Sequence, residues 1–379
     1  MINLDQSLPL NVGLISSYCT KGIWHSSTFR NFIEGGRADL DSSPNVYPDL
    51  YLFMESDVQH WLNKFGIAEN RPKSAIRFLS QLTDEQADQL VEGVFSNVDG
   101  IPPNAITTFL PELSASKSNP MASLVGDATK NLFRLAVKIG MRFRAENGDS
   151  VTTPVVQMVA GNKLDNVKFQ HSSQRGRDEF FIVDADEMSS YELVLKRLSE
   201  SLRELEKEFD SSDLTRSAFG KLRIAFELEP GPLYLLDGPE SVKRLCELVD
   251  AGGENSCPLV QQKVGFNLDI AHWWLKGIQP SFLAANPKVA RRVFHSHISG
   301  HSARAHFGDI SLTELSIEEK ATFVKWLVAI SELNTETFSG SVSLEFEAAP
   351  NPQAVIDSLN QLIAFVTAPG SFLADAQSA

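Results

Sequence analysis

Four short apolar runs recur between residues 221 and 350, and each ends in residues able to ligate a cation or carry a proton. They read KLRIAFELEPGP (221–232), VGFNLDIAH (264–272), RVFHSHISGH (292–301) and SVSLEFE (341–347). Strands are predicted over 224–229, 264–269, 292–298 and 342–347. Helices are predicted over 239–249, from about Pro280, over 317–333 and over 352–366. Strands alternating with helices of this length pair in parallel. No Gly-rich phosphate fingerprint follows any of them, which favours a closed barrel over an open doubly wound sheet.

The first half is patterned less regularly. Residues 10–20 make a candidate first buried strand, followed by His25 in a Ser-rich loop. Residues 31–49 are polar, punctuated by GG, SSP and YP, and read as an insertion or long loop. A short strand over 51–54 and a helix over 56–65, capped by Ser56 and carrying His60, come next. The pattern from Thr83 to Gln86 is a capping box opening a helix over 82–96. Residues 105–110 suggest a strand, 119–145 an amphipathic helix, and 151–160 a β-branched strand. Residues 162–177, with His171, Arg175 and Arg177, read as an elaborated loop. Residues 191–209 read as a long helix with a charged, solvated face. The predicted fold is α/β, a (β/α)8 TIM barrel with an elaborated, loop-rich N-terminal half. It is expected as one domain over 1–368, with an insertion around 31–49 and a flexible tail over 369–379.

Composition narrows the class of protein. The 379 residues are 42% apolar, enough for a sizeable core. A formal charge of −14 argues against a general nucleic-acid or anionic-membrane surface. Cys19, Cys246 and Cys257 are odd in number, far apart and without a CxxC spacing, so no disulfide framework is expected and a reducing compartment fits. The N-terminal residues lack a basic stretch followed by a long apolar run, and no segment approaches the roughly 18 apolar residues of a membrane span. A cytoplasmic location is the expectation.

The strand ends carry the chemistry. Carboxylates at the ends of buried strands are costly unless a cation meets them. Period two puts Ala225, Glu227 and Glu229 on one face, Ser343, Glu345 and Glu347 on another, and His295 with His297 on a third. Inward-facing strand ends of a parallel barrel converge on one point. Two or more carboxylates with neutral imidazole suit Mn²⁺, Mg²⁺, Co²⁺ or Zn²⁺. Asp269 adds a carboxylate, and His272 follows it by three residues. Five of the eight histidines fall between His272 and His306. One histidine alone would be a packing or surface residue; an ordered set at four successive strand ends points to a site. Trp273 and Trp274 either stack a sugar ring or pack the loop against the barrel.

The ordered set of strand-Glu, strand-Asp-x-x-His, strand-His-x-His and strand-Glu resembles the xylose isomerase-like TIM-barrel superfamily. That group includes sugar and sugar-phosphate isomerases and epimerases and the endonuclease IV-type repair nucleases. The resemblance covers residues 221–366. It implies that Glu227, Asp269, His297 and Glu345 hold one divalent metal. It also implies that His272 and Arg304 contact substrate, with His295 and His306 nearby. Glu229 and Glu347 face the same way as their neighbours, so either could replace its partner as ligand or act as a base. The implied activity is isomerisation or epimerisation of a sugar, sugar phosphate or related polyol, by proton transfer through an enediolate. Glu227 and Glu345 are the implied proton carriers. The implied partner is a small polyhydroxylated molecule, not nucleic acid or membrane, and a homo-oligomer is compatible. The EPGP segment (229–232) is also similar to a branch of metabolite-traffic proteins, which implies a pathway-complex barrel that binds a metabolite without turning it over. An endonuclease IV-like nuclease is the lesser alternative. It requires an Asp two residues before a late histidine, and Arg304 stands there before His306.

Overall fold

In a computed structural model of the chain, the described residues are 6–16, 46–51, 75–98, 100–117, 119–148, 150–164, 168–174, 177–184, 191–252, 257–300, 310–333, 336–346 and 352–378. Ten strands are described: β1 (Asn11–Ser16), β2 (Val46–Tyr51), β3 (Ala105–Thr108), β4 (Val155–Val159), β5 (Lys168–Gln174), β6 (Arg177–Asp184), β7 (Ile224–Glu227), β8 (Val264–Asp269), β9 (Val293–Ile298) and β10 (Ser341–Phe346). Eight of them close a parallel barrel in the order β1-β10-β9-β8-β7-β4-β3-β2. Closure is made by β1, whose Val12 pairs with Val342 of β10 and with Val46 of β2. The fold is a (β/α)8 barrel, with helices packed outside the strands.

Period two along the strands builds two different cores. Outward side chains such as Val12, Leu14, Ile106, Val156, Phe226, Phe266 and Leu268 are buried against the helices. The helix Ala122–Asn147 turns Leu132, Phe133, Leu135 and Phe143 into that layer. Its opposite face carries Arg134, Lys138 and Arg142, paired at 2.7, 2.8 and 2.6 Å with Glu208, Asp88 and Glu92. Inside the barrel a small apolar cluster of Ala105, Val155, Ala225 and Phe294 fills one layer. Phe294 reaches it because β9 is irregular. Phe266 pairs with Val293 but the next residue, Asn267, pairs with His295, so Phe294 is skipped.

Helix ends are set by local chemistry. Thr83 accepts from the Gln86 amide at 3.2 Å while Gln86 returns the bond, which starts the helix Asp84–Asn97 where the sequence predicts it. Ser316 and Glu319 do the same for Ile317–Ser331.

Several segments differ from the expectation. Residues 46–49, expected in an insertion, begin β2; Pro48 lacks an amide proton and reads as a turn signal, yet its carbonyl accepts from Asn104 at 3.0 Å. The loop expected over 162–177 contains β5, which pairs antiparallel with β6 outside the barrel. A helix not anticipated, Asp213–Gly220, starts at Ser212. The expected flexible tail is the helix Pro369–Ser378, and Phe372 packs edge-on to Phe365 at 4.8 Å. The predicted helix over 56–65, with His25 and His60, lies outside the described residues. Among the described residues no helix is long and apolar enough to cross a membrane.

Candidate metal centre

Parallel strands bring their C-terminal ends to one mouth, and the inward residues there are polar. Glu227 and Asp269 are the last residues of β7 and β8, and His297 and Glu345 the next to last of β9 and β10. Glu227, Asp269, His297 and Glu345 are all buried. One ligand atom each from Glu227, His297 and Glu345 lie within 4.8 Å of one another; so do those of Glu227, Glu229 and His272, and those of Asp49, His295 and His297.

The contacts run through neighbouring polar side chains. His297 Nδ1 is 3.2 Å from Glu345 Oε2 and 4.0 Å from Glu227 Oε2. Asn267 Nδ2 lies 3.0 Å from His297 Nδ1 and 3.2 Å from Glu227 Oε2. Gln157 Nε2 donates to that same Glu227 oxygen. The other Glu227 oxygen faces His272 Nδ1 at 3.2 Å, and this nitrogen is also 3.0 Å from the Leu228 carbonyl. Asp269 Oδ1 caps the helix Ile270–Leu275 by accepting from the His272 amide at 3.0 Å.

No family model matches the sequence, and no curated protein does. Among solved structures the chain is similar to a xylose isomerase-like TIM barrel protein from Mycobacterium smegmatis in complex with magnesium. The identity is 12%, the TM-score 0.41, and the match covers 98% of this chain and 100% of that one. It is similar to SacUVDE at 12% identity and a TM-score of 0.40, over 98% of this chain and 100% of that one. It is similar to AsfvAP:AG at 10% identity and a TM-score of 0.42, over 97% and 99%. At this level of likeness no residue role or activity passes from those proteins to this chain.

The electrostatics come from this chain's own residues. Burial raises the Glu227 pKa, and the Glu345 carboxylate raises it further. Burial, followed by the Glu227 charge, lifts Glu229 to about 8. Burial works against the charged form of His297, but Glu345 and Asp49 outweigh it and hold this imidazole well above its usual range. His272 is raised in the same way, by Asp269 and Glu227 against its burial. Asp269 and Asp49 are pushed up by burial, and the facing imidazoles bring both below the usual carboxylate range. A cluster with this excess of acceptors has to hold cations, whether protons on imidazole or a metal.

The donor set fits a divalent ion. His297 Nδ1 faces the Glu345 oxygen at 3.2 Å and a Glu227 oxygen at 4.0 Å, so an ion placed among them would meet both carboxylates and the ring nitrogen. Asp269 Oδ2 is buried with no hydrogen-bond partner among the described residues. It lies outside the tightest three-donor groups, at the end of the neighbouring strand. Two or three carboxylates and one imidazole form a hard-to-borderline set.

The sequence-derived candidates are placed unevenly. Glu227, His297 and Glu345 come together, with His272 and Glu229 beside Glu227. His295 was expected to touch substrate, but it is fully buried deeper in the barrel, with Nδ1 3.0 Å from Ser339 Oγ and Nε2 2.7 Å from Asp49 Oδ2. Both ring nitrogens are engaged by the protein. Arg304, His306 and Glu347 lie outside the described residues. Trp273 packs edge-on to Trp326 and Phe282 and is fully buried, which settles it as a packing residue. Three site residues were missed: Asp49, Gln157 and Asn267. The last two carried a signal, since each is the lone polar residue in the interior of an apolar strand, VVQMV and VGFNLD.

Proposed function

We propose that this chain is a divalent-metal-dependent isomerase or epimerase acting on a small polyhydroxylated substrate, a sugar, a sugar phosphate or a related polyol. The observation that carries the reading is the convergence of Glu227, His297 and Glu345 at the C-terminal mouth of a closed parallel barrel, with His272 held against Glu227. Glu227, His297 and Glu345 would hold the ion, with Asp269 Oδ2 as a further donor. A divalent ion bound there would supply polarisation of adjacent carbonyl and hydroxyl oxygens.

The remaining chemistry belongs to the side chains. A carboxylate oxygen of Glu227 or Glu345 takes the proton from the carbon beside the carbonyl, and the C–H electron pair passes into the enediolate of the substrate. Return of a proton to the opposite face of the same carbon gives an epimer; return to the neighbouring carbon, with the hydroxyl proton passing from the second oxygen to the first, gives the aldose–ketose isomer. His272 and Glu229, at the rim of the cluster, would hold substrate hydroxyls. Gln157 and Asn267 fix the Glu227 carboxylate, so its orientation is set before substrate arrives.

The test is elemental analysis of the purified protein, combined with incubation of aldoses, ketoses and their phosphates in D₂O. About one divalent ion per chain and solvent deuterium at a carbon next to the carbonyl are expected. Both should be lost in Glu227→Gln, His297→Ala and Glu345→Gln while the fold persists. A bound ion with no exchange into any of these substrates would sink the catalytic reading in favour of a metabolite-binding barrel.

A further inference from the structure

Below the metal cluster lies a second buried polar group that the proposed reaction does not use. Asp49 on β2 and His295 on β9 are 2% and 0% exposed. Asp49 Oδ2 is 2.7 Å from His295 Nε2 and 3.7 Å from His297 Nε2. His295 is held at its far side by Ser339 Oγ at 3.0 Å, and Ser343 Oγ lies 3.5 Å from its Nε2. Among the described residues, two atoms here are buried without hydrogen-bond partners: Asp49 Oδ1 and His297 Nε2. Such orphans are uncommon in a folded interior, and these two belong to residues that face each other.

The two nitrogens of His297 meet different surroundings. Nδ1 faces Glu345 and the Asn267 amide nitrogen. An amide nitrogen only donates, and its second contact, with the Glu227 carboxylate, fixes which end of the amide this is. With an ion bound, Nδ1 would be the lone-pair side of the ring, turned toward the carboxylates, and Nε2 would carry the proton, turned toward Asp49. A histidine that ligates through one nitrogen is held in place by a carboxylate on the other.

Resting on the metal-site reading above, we infer that Asp49 is a positioning residue for the metal centre: its carboxylate faces His297 Nε2 at 3.7 Å, close enough to accept that N–H once an ion takes Nδ1, and His295 with Ser339 holds Asp49 in place. The Asp49 carboxylate fixes the ring so that Nδ1 points into the cluster and raises the basicity of that nitrogen. It does not touch substrate or ion. The same three residues, Asp49, His295 and His297, also satisfy the spacing for a second metal site. The 2.7 Å contact between Asp49 and His295, with Ser339 on the other ring nitrogen, favours a hydrogen-bonded chain, because an ion would have to break it.

The experiment measures Co²⁺ and Zn²⁺ binding by calorimetry to the metal-free full-length chain and to Asp49→Asn, with thermal unfolding in chelator as a fold control. One ion per chain is expected for both proteins, with affinity about 10- to 100-fold weaker in the variant. The Co²⁺ absorption spectrum should shift in the variant, which a change in stability alone would not produce. Ring-nitrogen NMR of the Zn²⁺-loaded parent, which needs no variant, should show the His297 proton on Nε2. Equal affinity in Asp49→Asn, or a proton on Nδ1 of His297, would overturn the role of Asp49 while leaving the metal centre standing. Two ions in the parent and one in Asp49→Asn would overturn it by making Asp49 a ligand. No binding of either ion to the parent would overturn this inference together with the metal-dependent function.

Discussion

Lys263 shows how one residue's surroundings set a measurable property. It is 2% exposed, and its Nζ donates to the Phe219 and Gly220 carbonyls at 2.6 and 3.2 Å and lies 4.4 Å from the centre of the Phe219 ring. These carbonyls belong to the last turn of the helix Asp213–Gly220, where a cation meets the negative end of the helix. Burial, followed by the nearby Arg223 charge, pulls the Lys263 pKa from 10.5 to about 7. Between those values the unfolded chain holds a proton that the folded chain has released, so stability rises with pH across the window and the penalty is fullest below it. Lys263→Met removes this dependence. Relative to the variant, the thermal midpoint of the parent should climb between about pH 7 and 10.5; a difference flat with pH would refute the assignment. Gly265 is a second case. A Cβ there would sit 2.1 Å from the Arg292 carbonyl oxygen and 2.6 Å from the Phe294 ring, beside the β9 irregularity. Gly265→Ala should cost about 3 kcal/mol in urea unfolding, and a cost near zero would mean that the irregularity can relax.

Elements were legible in proportion to the regularity of their pattern. β8 and the helix Ile317–Ser331 fall where apolar periodicity and capping residues place them, because local and tertiary preferences agree there. β2 was hidden: Pro48 and polar flanking residues imitate a turn, and only pairing on both sides, to β1 and β3, makes the segment a strand. The helix Pro369–Ser378 was hidden for a similar reason, since small residues give it little amphipathic signal of its own. It forms against the rest of the chain, with Phe372 on Phe365 and the preceding helix Pro352–Thr367 bonded to the N-terminal segment through Leu8 N–H and the Val366 carbonyl, 2.8 Å apart. Truncation after Ala368 should therefore lower the thermal midpoint by about 1 to 3 degrees, the equivalent of roughly 1 to 2 kcal/mol for the aromatic and aliphatic surface exposed. An unchanged midpoint would show that this helix adds nothing to the barrel.

For the whole molecule, the acidic mouth of the barrel is a stability cost that a bound cation would offset. Burial and then the Glu345 charge oppose ionisation of Glu227. In chelator, Glu345→Gln relieves the push on Glu227 but removes the carboxylate that holds the buried His297 imidazolium, so the variant should be less stable than the parent. With Mn²⁺ or Co²⁺ at about 100 times the dissociation constant, the parent should gain about 2.7 kcal/mol, and Glu345→Gln should gain far less. Paired thermal scans with chelator and with metal measure both. A parent that is unaffected by every divalent ion would remove the metal from the account of this fold.

The sequence by itself determined the barrel and the inward rows of Glu227, His297 and Glu345, because period two in a parallel strand fixes which side chains share a face and parallel pairing gathers their ends. It also marked His272 by its three-residue spacing from Asp269. Strand direction puts His295 two residues deeper than His297, but the sequence did not show that Ser339 and Asp49 engage both nitrogens of the deeper ring. Asp49 lies 246 residues from His295, in a segment that reads as loop. Its meeting with that histidine was decided by closure of the barrel through β1, a contact with no local signature in either segment.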